Sequence, residues 1–525
     1  MGTMLDERGM AVPIDEEAWV SGAETVWLPT ADEMGDLDRE AVASGATTER
    51  TLIETAGREV ARRIQVHWPE GRVVAIAGRG HNGADALVAL RTLRAWGRDV
   101  VAILASDAPP DPDVLVGWDI SLQPPSDLPS ACAGASVVLD GILGTGVTGA
   151  PRGPQASLIE HLNRLSVPVA AVDGPSGADF STGAVAGACV RASLTIGLGW
   201  PNLGLLRHPA RDYCGRIECV EIGFPPPSSP MGARAITGRW VTRTLIGRSR
   251  DAHKGRVGYL ALIAGQSGMA GAAVLGARAA LRGGVGILKI LGDPANREIL
   301  QRTCPGAIFV SWEDEVDRAR VVEWAGALAI GPGLGRASER RKVVEEVLGS
   351  RGSRPVVLDA DGLSVFEGGM SRLARLLNPG DIVTPHPGEL ARLTGASVDD
   401  ILADPPSAAR AAAEDLGCAV LLKGSPSYVV EAGQPLRVST TGGPEVASGG
   451  TGDVVTGLIG AYLAAGMPPA DAGSAALWLT GVAAGCSVEP AGHVASDIPD
   501  RLPEVRARVL ELGPLRGSVI FVSEA

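Results

Sequence analysis

The chain has 525 residues, of which 45% are hydrophobic and 20% are charged, and its formal net charge is −13. This length exceeds what one typical hydrophobic core accommodates, so we expect at least two domains. The acidic balance argues against nucleic acid as a partner, because binding of nucleic-acid phosphates relies on clustered Lys and Arg.

The seven cysteines are scattered, without CxxC or zinc-ligand spacing. The N-terminal residues are acidic and contain no apolar run of the kind found in signal peptides. The longest uncharged stretch, residues 472–488, is interrupted by glycines and is too short to cross a bilayer comfortably. We therefore expect reduced thiols, a cytoplasmic location and no membrane partner.

Residues 1–25 are predicted to form a disordered acidic lead-in. The following segment, Thr30 to Glu33, has the form of a capping box at the start of a helix, and a second amphipathic helix is predicted from Thr51 to about Val66. Short apolar runs with helical periods between them predict buried strands at 72–77, 99–104, 136–139, 167–172 and 192–196. This alternation predicts a Rossmann-like three-layer α/β/α sandwich over residues 26–223.

A Pro/Ser-rich segment without periodicity predicts a linker at 224–235. Beyond it, a second α/β domain is predicted over 236–525, with buried strands at 257–264, 327–330, 356–358, 381–384 and 419–422. We find no internal repeat, because the two halves share a class but not an order of motifs.

In the first half, Gly78-x-Gly80-x-x-Gly83 after a strand fits the dinucleotide-binding fingerprint, with Asp107 near the position of the ribose-binding acid. A glycine-rich turn without a ligand explains this pattern almost as well.

Two Asp-Gly elements, at Asp140 and Asp173, come directly after predicted strands. The carboxyl ends of strands converge on one crevice in a doubly wound sheet. Asn82, Asp140 and Ser176 are therefore candidates to offer oxygens to one hard cation, and Asp173 is a candidate general base. The alternative is that both aspartates only cap the helices after them.

The first half resembles the YjeF N-terminal domain family of NAD(P)HX epimerases over about Val26 to Gly223. The resemblance rests on residues 29–34, residues 52–57, the Asn82 loop and both Asp-Gly elements. It implies exchange between the R and S forms of hydrated NADH or NADPH, with a catalytic aspartate at Asp173. It also implies a potassium site at Asn82, Asp140 and Ser176, and substrate contacts from His81, Asn82, Gly83, Ala84, Asp85, Gly144, Thr145, Gly146, Val147, Thr148, Gly149, Ala150 and Asp173.

The loop departs from the family pattern, because His81, Ala84 and Ala86 stand where the family usually has Asn and two Gly. A binding module without catalytic activity therefore remains the alternative for this half.

In the second half, Gly449 to Asp453 is a glycine-rich loop followed by apolar residues at helical spacing. Such a loop turns backbone N–H groups toward a ligand at the positive end of a helix. A carboxylate there is a poor structural choice beside a phosphate but a good general base. We expect Asp453 to act on a substrate hydroxyl at a phosphate-bearing site.

Further motifs follow the predicted strands of this half. They are Gly331–Gly335, Asp359–Gly362, the Thr384–Glu389 loop that presents His386 between two prolines, and Lys423–Ser427. A single His is more often structural than functional, and a Lys is often a solvated surface residue. Their positions at strand ends favour a site.

Together these motifs resemble the ribokinase-like superfamily, and more closely the ADP-dependent NAD(P)HX dehydratases, over about Ile236 to Val509. The resemblance also includes His253-Lys254-Gly255 and residues 268–273. It implies that Ala272, Gly333, His386 and Asp453 contact the hydrated nicotinamide nucleotide. It further implies that an adenine nucleotide with Mg²⁺ on its phosphates is held by Lys423, Gly424, Ser425, Pro426, Ser427 and Gly452.

The fusion of both halves resembles the bifunctional NAD(P)H-hydrate repair enzymes. The implied reaction is ADP-dependent dehydration of S-NAD(P)HX to NAD(P)H with release of AMP and phosphate, after epimerisation of the R form. We also expect a homo-oligomer. The alternative for the second half is a ribokinase-like small-molecule kinase, such as a thiazole or hydroxymethylpyrimidine kinase.

Overall fold

The computed structural model describes residues 4–5, 11–12, 23–106, 112–146, 149–247, 257–486, 490–512 and 518–523. Asp107, Val147, Thr148 and the His253–Gly255 motif lie outside the described residues. The chain divides into two compact units. The first unit contains the described residues from 23 to 235 together with 518–523, and the second contains those from 236 to 512 and the first residues of the chain.

Two short strands lie within the predicted lead-in. β1 (Met4–Leu5) pairs antiparallel with β2 (Ala11–Val12). The backbone N–H of Ala23 donates to the carbonyl of Ile520 at 2.7 Å. The remaining residues before Ala23 lie outside the described part.

The first unit is built on a mostly parallel sheet of eight described strands. These are β3 (Arg72–Ala77), β4 (Val100–Leu104), β5 (Ser121–Gln123), β6 (Ala135–Gly141), β7 (Val169–Val172), β8 (Leu194–Leu198), β9 (Arg216–Val220) and β20 (Val519–Ser523). Their order is β20-β9-β8-β7-β6-β3-β4-β5, and only β20 runs antiparallel to its neighbour. The helices are α1 (Ala31–Ala43), α2 (Glu49–His67), α3 (His81–Ala95), α4 (Leu128–Cys132), α5 (Pro154–Leu162) and α6 (Arg211–Cys214).

The helices and strands that local sequence signals predicted in this unit are present. Thr30 caps α1, with the Glu33 carboxylate accepting from the Thr30 N–H at 2.8 Å, which confirms the capping box. Each predicted strand is present, with ends that differ by at most two residues. Helices α2 and α3 pack against the sheet through a cluster that includes Val60, Ile64 and Leu87, all fully buried.

The last strand of the chain belongs to the first unit, whereas the sequence predicted one continuous domain from 236 to 525. β20 pairs with β9, placing Val522 opposite Glu218, and Phe521 is fully buried. Four of its five residues are apolar, which signals a buried strand but not the sheet that it joins. The predicted domain limits are therefore wrong at this end.

The second sheet has ten described strands, of which β10 begins three residues before the second unit starts at residue 236. These are β10 (Ala233–Ile236), β11 (Tyr259–Ile263), β12 (Ile287–Gly292), β13 (Ala307–Ser311), β14 (Ala327–Ile330), β15 (Val356–Leu358), β16 (Ile382–Val383), β17 (Ala419–Leu422), β18 (Tyr428–Val430) and β19 (Leu436–Ser439). Their order is β10-β19-β18-β17-β16-β15-β14-β11-β12-β13. The strands from β13 to β17 in this order are parallel, while β18 is antiparallel to both of its neighbours.

The helices of this unit begin with α7 (Gly238–Thr244), α8 (Ala270–Gly283), α9 (Arg297–Thr303), α10 (Glu315–Trp324), α11 (Ser338–Ser350), α12 (Asp361–Ser364) and α13 (Met370–Ala374). They continue with α14 (Pro387–Thr394), α15 (Val398–Ala403), α16 (Pro405–Leu416), α17 (Thr451–Ala464), α18 (Pro469–Gly485) and α19 (Ile498–Leu510). Among the described helices, none has the length and apolar character needed to span a membrane. All seven cysteines are free.

The five strands predicted in the second unit are present, but five other strands of the sheet were not predicted. β12 is interrupted by Lys289, and β13 buries only Phe309 of its five residues. β18 and β19 form an antiparallel pair of only three and four residues. β10 begins inside the predicted linker 224–235.

Candidate functional sites

The first candidate site lies where β3, β6 and β7 end. Glycines allow the backbone segments of this site to lie close together. A Cβ added at Gly78 would lie 1.9 Å from the carbonyl oxygen of Ile142. A Cβ at Gly83 would lie 2.2 Å from the carbonyl oxygen of Gly78. The Gly78–Gly83 turn therefore places the start of α3 against the end of β6.

Asn82, Asp140 and Ser176 form one buried hydrogen-bonded group. The Ser176 hydroxyl donates to Asp140 Oδ1 at 2.6 Å, and the Ser176 N–H donates to Asp140 Oδ2 at 2.8 Å. The Asn82 amide donates to the carbonyl of Leu143 at 2.9 Å and to that of Val172 at 2.8 Å. The structure thus brings together the three residues predicted to bind a cation.

These residues fit a hard cation. The group contains carboxylate, hydroxyl, amide and carbonyl oxygens, which are the donors that a hard cation prefers. Asp140 is fully buried, and no Lys, Arg or His pairs with it in the described residues. Burial raises the pKa of Asp140 to about 6, against hydrogen bonds from Ser176 and Ile142 that lower it. A bound cation would supply the positive charge that this carboxyl lacks.

Asp173 ends β7 in a left-handed conformation, with φ of 66°, which is uncommon for a residue other than Gly. Its Oδ1 accepts the N–H of Leu198 at 3.3 Å. Desolvation by the surrounding protein, together with the charge of Asp38, raises the pKa of Asp173 to about 7. Neither Asp140 nor Asp173 bonds to the start of a helix, so the interpretation of both as helix caps is wrong.

The remaining predicted substrate residues follow α3 and the loop after β6. His81 is exposed and pairs with Glu49 at 2.7 Å. A Cβ on Gly144 would lie 2.9 Å from Cγ of Asn82, so this part of the loop touches the cation group. Thr145, Gly146, Gly149 and Ala150 lie further along the same loop.

Two of the substituted residues of the α3 loop are buried. Ala84 and Ala86 are 2% and 0% exposed, and both belong to the hydrophobic cluster of this unit. A Cβ added at Gly141 would lie 2.8 Å from the Ala86 methyl group, so this substitution packs against the end of β6.

Two further carboxyls at this site have raised pKa values: Asp85, which was predicted only as a substrate contact, and Asp38, which was not assigned a role. Asp85, the fifth residue of α3, is buried, and Asp38 lies on α1. Burial and the charges of Asp173 and Asp38 raise the pKa of Asp85 well above its usual range. Asp38 looks like an ordinary solvated residue in the sequence. Only the tertiary structure reveals that its charge acts on Asp85 and Asp173.

The second candidate site is centred on the start of α17. Gly450 caps this helix with φ of 98°, and a Cβ there would lie 2.5 Å from Leu275, so a glycine is needed. Asp453 lies in the first turn of α17. Burial and the charge of Asp359 raise the pKa of Asp453 to about 7, although Lys423 lowers it. A carboxyl with this pKa can accept a proton near neutral pH.

Lys423 follows β17 and points into the same region. Its ammonium lies 2.7 Å from Asp359 Oδ1 and 3.6 Å from Glu389 Oε2. Asp359 Oδ2 also accepts the hydroxyl of Thr456 at 2.7 Å. Because the Lys423 side chain is only 23% exposed, the interpretation as a solvated surface lysine is wrong.

Gly452 lies beside Lys423: a Cβ added there would be 3.5 Å from the ammonium nitrogen and 3.7 Å from Asp359 Oδ2. Ser427 closes the loop after β17, because its hydroxyl accepts the N–H of Gly424 at 3.1 Å. Ser425 and Pro426 lie between them. The residues predicted to hold a nucleotide are therefore adjacent in space.

His386 caps α14 through its side chain. Its Nδ1 accepts the N–H of Gly388 at 3.0 Å and that of Glu389 at 3.3 Å. A ring nitrogen that accepts carries no proton, so these bonds place the proton of the neutral ring on Nε2. Burial lowers the pKa of His386, which also favours the neutral ring. His386 therefore serves both as a helix cap and as a potential hydrogen-bond donor.

The Gly331–Gly335 turn completes this site. A Cβ on Gly333 would lie 3.0 Å from Ala272 Cβ, so the predicted contacts Gly333 and Ala272 are neighbours. Asp361 Oδ2 accepts the N–H of Gly335 at 2.9 Å, and the charge of Asp361 contributes to the raised pKa of Asp453. Asp361 thus links the turn to the start of α17.

Asp359, Glu389 and Thr456 make contacts at this site that the sequence did not assign. Asp359 and Glu389 belong to strand-end motifs, which was a usable signal. Thr456 lies one helical turn after Asp453, and this spacing alone does not indicate a role.

Comparison with known proteins gives matches for both units. Residues 49–204 match the family described as YjeF-related protein N-terminus, and residues 260–504 match the family described as NAD(P)H-hydrate dehydratase. The bifunctional NAD(P)H-hydrate repair enzyme of Salinibacter ruber is 33% identical over 93% of this chain and 98% of its own length. The corresponding protein of Pyrobaculum aerophilum is 34% identical over 91% of this chain and 98% of its own.

Among solved structures, the ADP/ATP-dependent NAD(P)H-hydrate dehydratase of Bacillus subtilis, co-crystallised with ATP and Mg²⁺, is similar to this chain. It is 30% identical, with a TM-score of 0.47, and the match covers 52% of this chain and 97% of that protein.

Proposed function

The chain belongs to the bifunctional NAD(P)H-hydrate repair enzymes, and on this premise we propose that each unit carries one of the two activities. The first unit exchanges the R and S forms of hydrated NADH and NADPH, and the second dehydrates the S form with ADP. The observation that carries the second assignment is the position of Asp453, in the first turn of a helix and beside the ammonium of Lys423.

The dehydration proceeds through phosphorylation. Asp453 takes the proton of the substrate C6 hydroxyl as the β-phosphoryl group of ADP is transferred to that oxygen, and AMP is released. Phosphate then leaves, and the ring double bond is restored by loss of a proton from the neighbouring carbon. Hydroxide is a poor leaving group at neutral pH and phosphate a good one, so the phosphorylation makes the elimination possible.

The N–H groups at the start of α17 and the Lys423 ammonium are placed to stabilise negative charge on the transferring group. Gly424, Ser425, Pro426, Ser427 and Gly452 line the loops in which the nucleotide would lie. Magnesium would bind the nucleotide phosphates and neutralise their charge. Ala272, Gly333 and the Nε2–H of His386 are proposed to contact the hydrated nicotinamide nucleotide.

In the first unit, Asp173 is the proposed proton acceptor near the reacting carbon. The loop residues from His81 to Asp85 and from Gly144 to Ala150 are the proposed substrate contacts. Potassium would be held by Asn82, Asp140 and Ser176, and its charge would stabilise the buried Asp140 carboxylate. The same group would hold the ends of β6 and β7 in place.

One assay tests both activities. Purified protein is supplied with a mixture of R- and S-NADHX, ADP and Mg²⁺, and recovery of NADH absorbance is followed. Complete recovery supports both activities. Recovery that stops when the S form is exhausted contradicts the epimerase proposal and favours a binding module. A stable phosphorylated product without NADH favours a small-molecule kinase.

The nucleotide preference and the assembly need separate measurements. Replacing ADP by ATP in the same assay, with equal Mg²⁺, compares the two nucleotides. The homo-oligomer remains a prediction, which light scattering after size-exclusion chromatography would test.

A further inference from the structure

Asp85 is a buried carboxyl without a partner at the first candidate site. It is 5% exposed, and its Oδ1 has no hydrogen-bond donor within the described part of the chain. An ionised carboxylate in such a position loses its hydration without compensation, which is costly, so the protonated form is favoured. The raised pKa of Asp85, caused by burial and then by the charge of Asp173, agrees with this expectation.

Asp173 is the complementary group. It follows β7, whereas Asp85 lies near the start of α3. The Asn82 amide, in the first turn of α3, donates to the carbonyl of Val172, next to Asp173, at 2.8 Å, so the two segments are joined. The charge of Asp173 accordingly adds to burial in raising the pKa of Asp85. The N–H of Leu198 donates to Asp173, so this carboxyl has a donor that stabilises its ionised form. No ion pair to either residue occurs among the described residues. The site therefore contains one carboxyl that favours the protonated state and one that can lose its proton.

We propose that Asp85 is the acid partner of Asp173 in the exchange of the two epimers, an inference that rests on the epimerase activity proposed above. The reacting carbon bears a hydroxyl group and is bonded to the ring nitrogen. Inversion at such a carbon by loss and return of water needs an acid on one face and a base on the other.

The steps balance without any co-reactant besides water. Asp85 gives its proton to the C6 hydroxyl, the C6–O bond breaks, and water leaves while the N1 lone pair forms a C=N double bond. Water then adds from the opposite face, forming a new C6–O bond, and Asp173 takes the released proton. The opposite conversion runs the same steps in reverse and returns the proton to Asp85. Between conversions in the same direction, Asp173 gives its proton to solvent water and Asp85 takes one from solvent water, which restores the starting state.

The two activities of one chain provide an internal control. Asp85→Asn keeps the size of the side chain but removes its acid. We expect the rate of conversion of R-NADHX to S-NADHX, measured by chromatographic separation, to fall by at least about 100-fold. The rate of NADH formation from pure S-NADHX with ADP and Mg²⁺ is expected to stay within about twofold, because general acid–base effects are confined to the site where the proton moves.

Asp99→Asn is the matched control. Asp99 is an exposed aspartate of the same unit that pairs with Arg72. Both rates should equal those of the unchanged protein. The melting temperature of Asp85→Asn should change little, because the amide has nearly the shape of the protonated carboxyl that burial favours at this position.

A second measurement on the unchanged protein does not depend on the folding of a variant. Conversion of R-NADHX in H₂¹⁸O should introduce one ¹⁸O atom into each S-NADHX molecule formed, after correction for exchange without enzyme. Absence of label would overturn the proposal, as would an Asp85→Asn variant that converts the R form at the normal rate. Failure of the unchanged protein to convert the R form at all would instead contradict the epimerase activity itself.

Discussion

The two candidate sites both collect carboxyls at the ends of parallel strands, but only one of them adds a cationic side chain. In the first unit, Asp85, Asp140 and Asp173 have no Lys, Arg or His paired with them among the described residues. In the second unit, Asp359 and Glu389 face the ammonium of Lys423, which also lowers the pKa of Asp453.

This difference agrees with two kinds of chemistry. Carboxyls without cationic partners keep their protons to higher pH and can exchange them with a substrate. A site with a lysine and the positive end of a helix is suited to phosphate, whose charge needs stabilisation. Both sites also place a non-glycine residue with positive φ after a strand, Asp173 in one and Ala360 in the other. The two sites thus share this backbone conformation but differ in their charged side chains.

The most severe test of the comparison is Asp453→Asn. The amide cannot accept the hydroxyl proton, so we expect NADH formation from S-NADHX to fall by about 10²- to 10⁴-fold. Exchange of the R and S forms, followed by chromatography, should continue at the normal rate. ADP affinity, measured by calorimetry, should change little. Loss of both activities would show that the sites are not independent.

Lys423→Met should have the next largest effect. It removes the charge that faces Asp359 and Glu389 while keeping an unbranched side chain, so two carboxylates would be left beside the nucleotide. We expect the Kd for ADP with Mg²⁺ to rise by about 10- to 100-fold, equivalent to roughly 1–3 kcal/mol. Lys342→Met serves as control, because Lys342 belongs to α11 and lies outside the site. An unchanged Kd would contradict a phosphate role for Lys423.

Glu218 sharpens the contrast within the first unit, because this buried carboxylate does have cationic partners. Burial alone would raise its pKa, but hydrogen bonds from His67 and Arg216 and the charge of Arg63 lower it to about 2. A depressed pKa stabilises the folded state above the unfolded pKa, and this stability is lost as pH falls from about 4.5 to 2.

We therefore expect Glu218→Gln to destabilise the first unit by about 3 kcal/mol at neutral pH. Denaturant unfolding at pH 7 and pH 3 measures the effect, and the difference between the two proteins should shrink at pH 3. If the two proteins differ equally in their free energy of unfolding at both pH values, the charge network around Glu218 is not the cause of the destabilisation.

The pH dependence of dehydration gives a further test. Asp453 must be ionised to act as a base, and its pKa is raised to about 7, so kcat/KM should fall about tenfold per pH unit below that value. Because Lys423 lowers the pKa of Asp453, the residual activity of Lys423→Met should show its acid limb at higher pH. The test is to measure kcat/KM of both proteins between pH 5.5 and 9. An acid limb at the same pH in both proteins would show that the charge of Lys423 does not set the pKa of Asp453.

The smallest effect is expected for the helix-capping role of His386. His386→Ala removes the cap of α14 and should cost about 1 kcal/mol of stability, whereas Asn, a good capping residue, should restore most of it. Neither variant should restore the substrate contact of the Nε2–H. Nitrogen NMR of labelled histidine should show the proton on Nε2, and a proton on Nδ1 would contradict the observed cap.

The sequence alone was sufficient for most local structure and for the grouping of motifs. The capping box at Thr30, the glycine turns at Gly78 and Gly450, and the continuous apolar strands each depend on neighbouring residues, which is why they were predicted. The rule that parallel strands end at one edge correctly brought Asn82, Asp140 and Ser176 together. The same rule placed Lys423 near Asp453.

Only the tertiary structure decided which strand joins which sheet and which charges meet. β20 has the composition of a buried strand, but its pairing with β9 joins residues that are about 300 positions apart. Asp38, Asp85 and Asp359 acquire their properties from neighbours on other elements and from burial. Residue identity and spacing determine what a side chain can do, whereas its pKa and partners depend on long-range packing, which sequence periodicity does not encode.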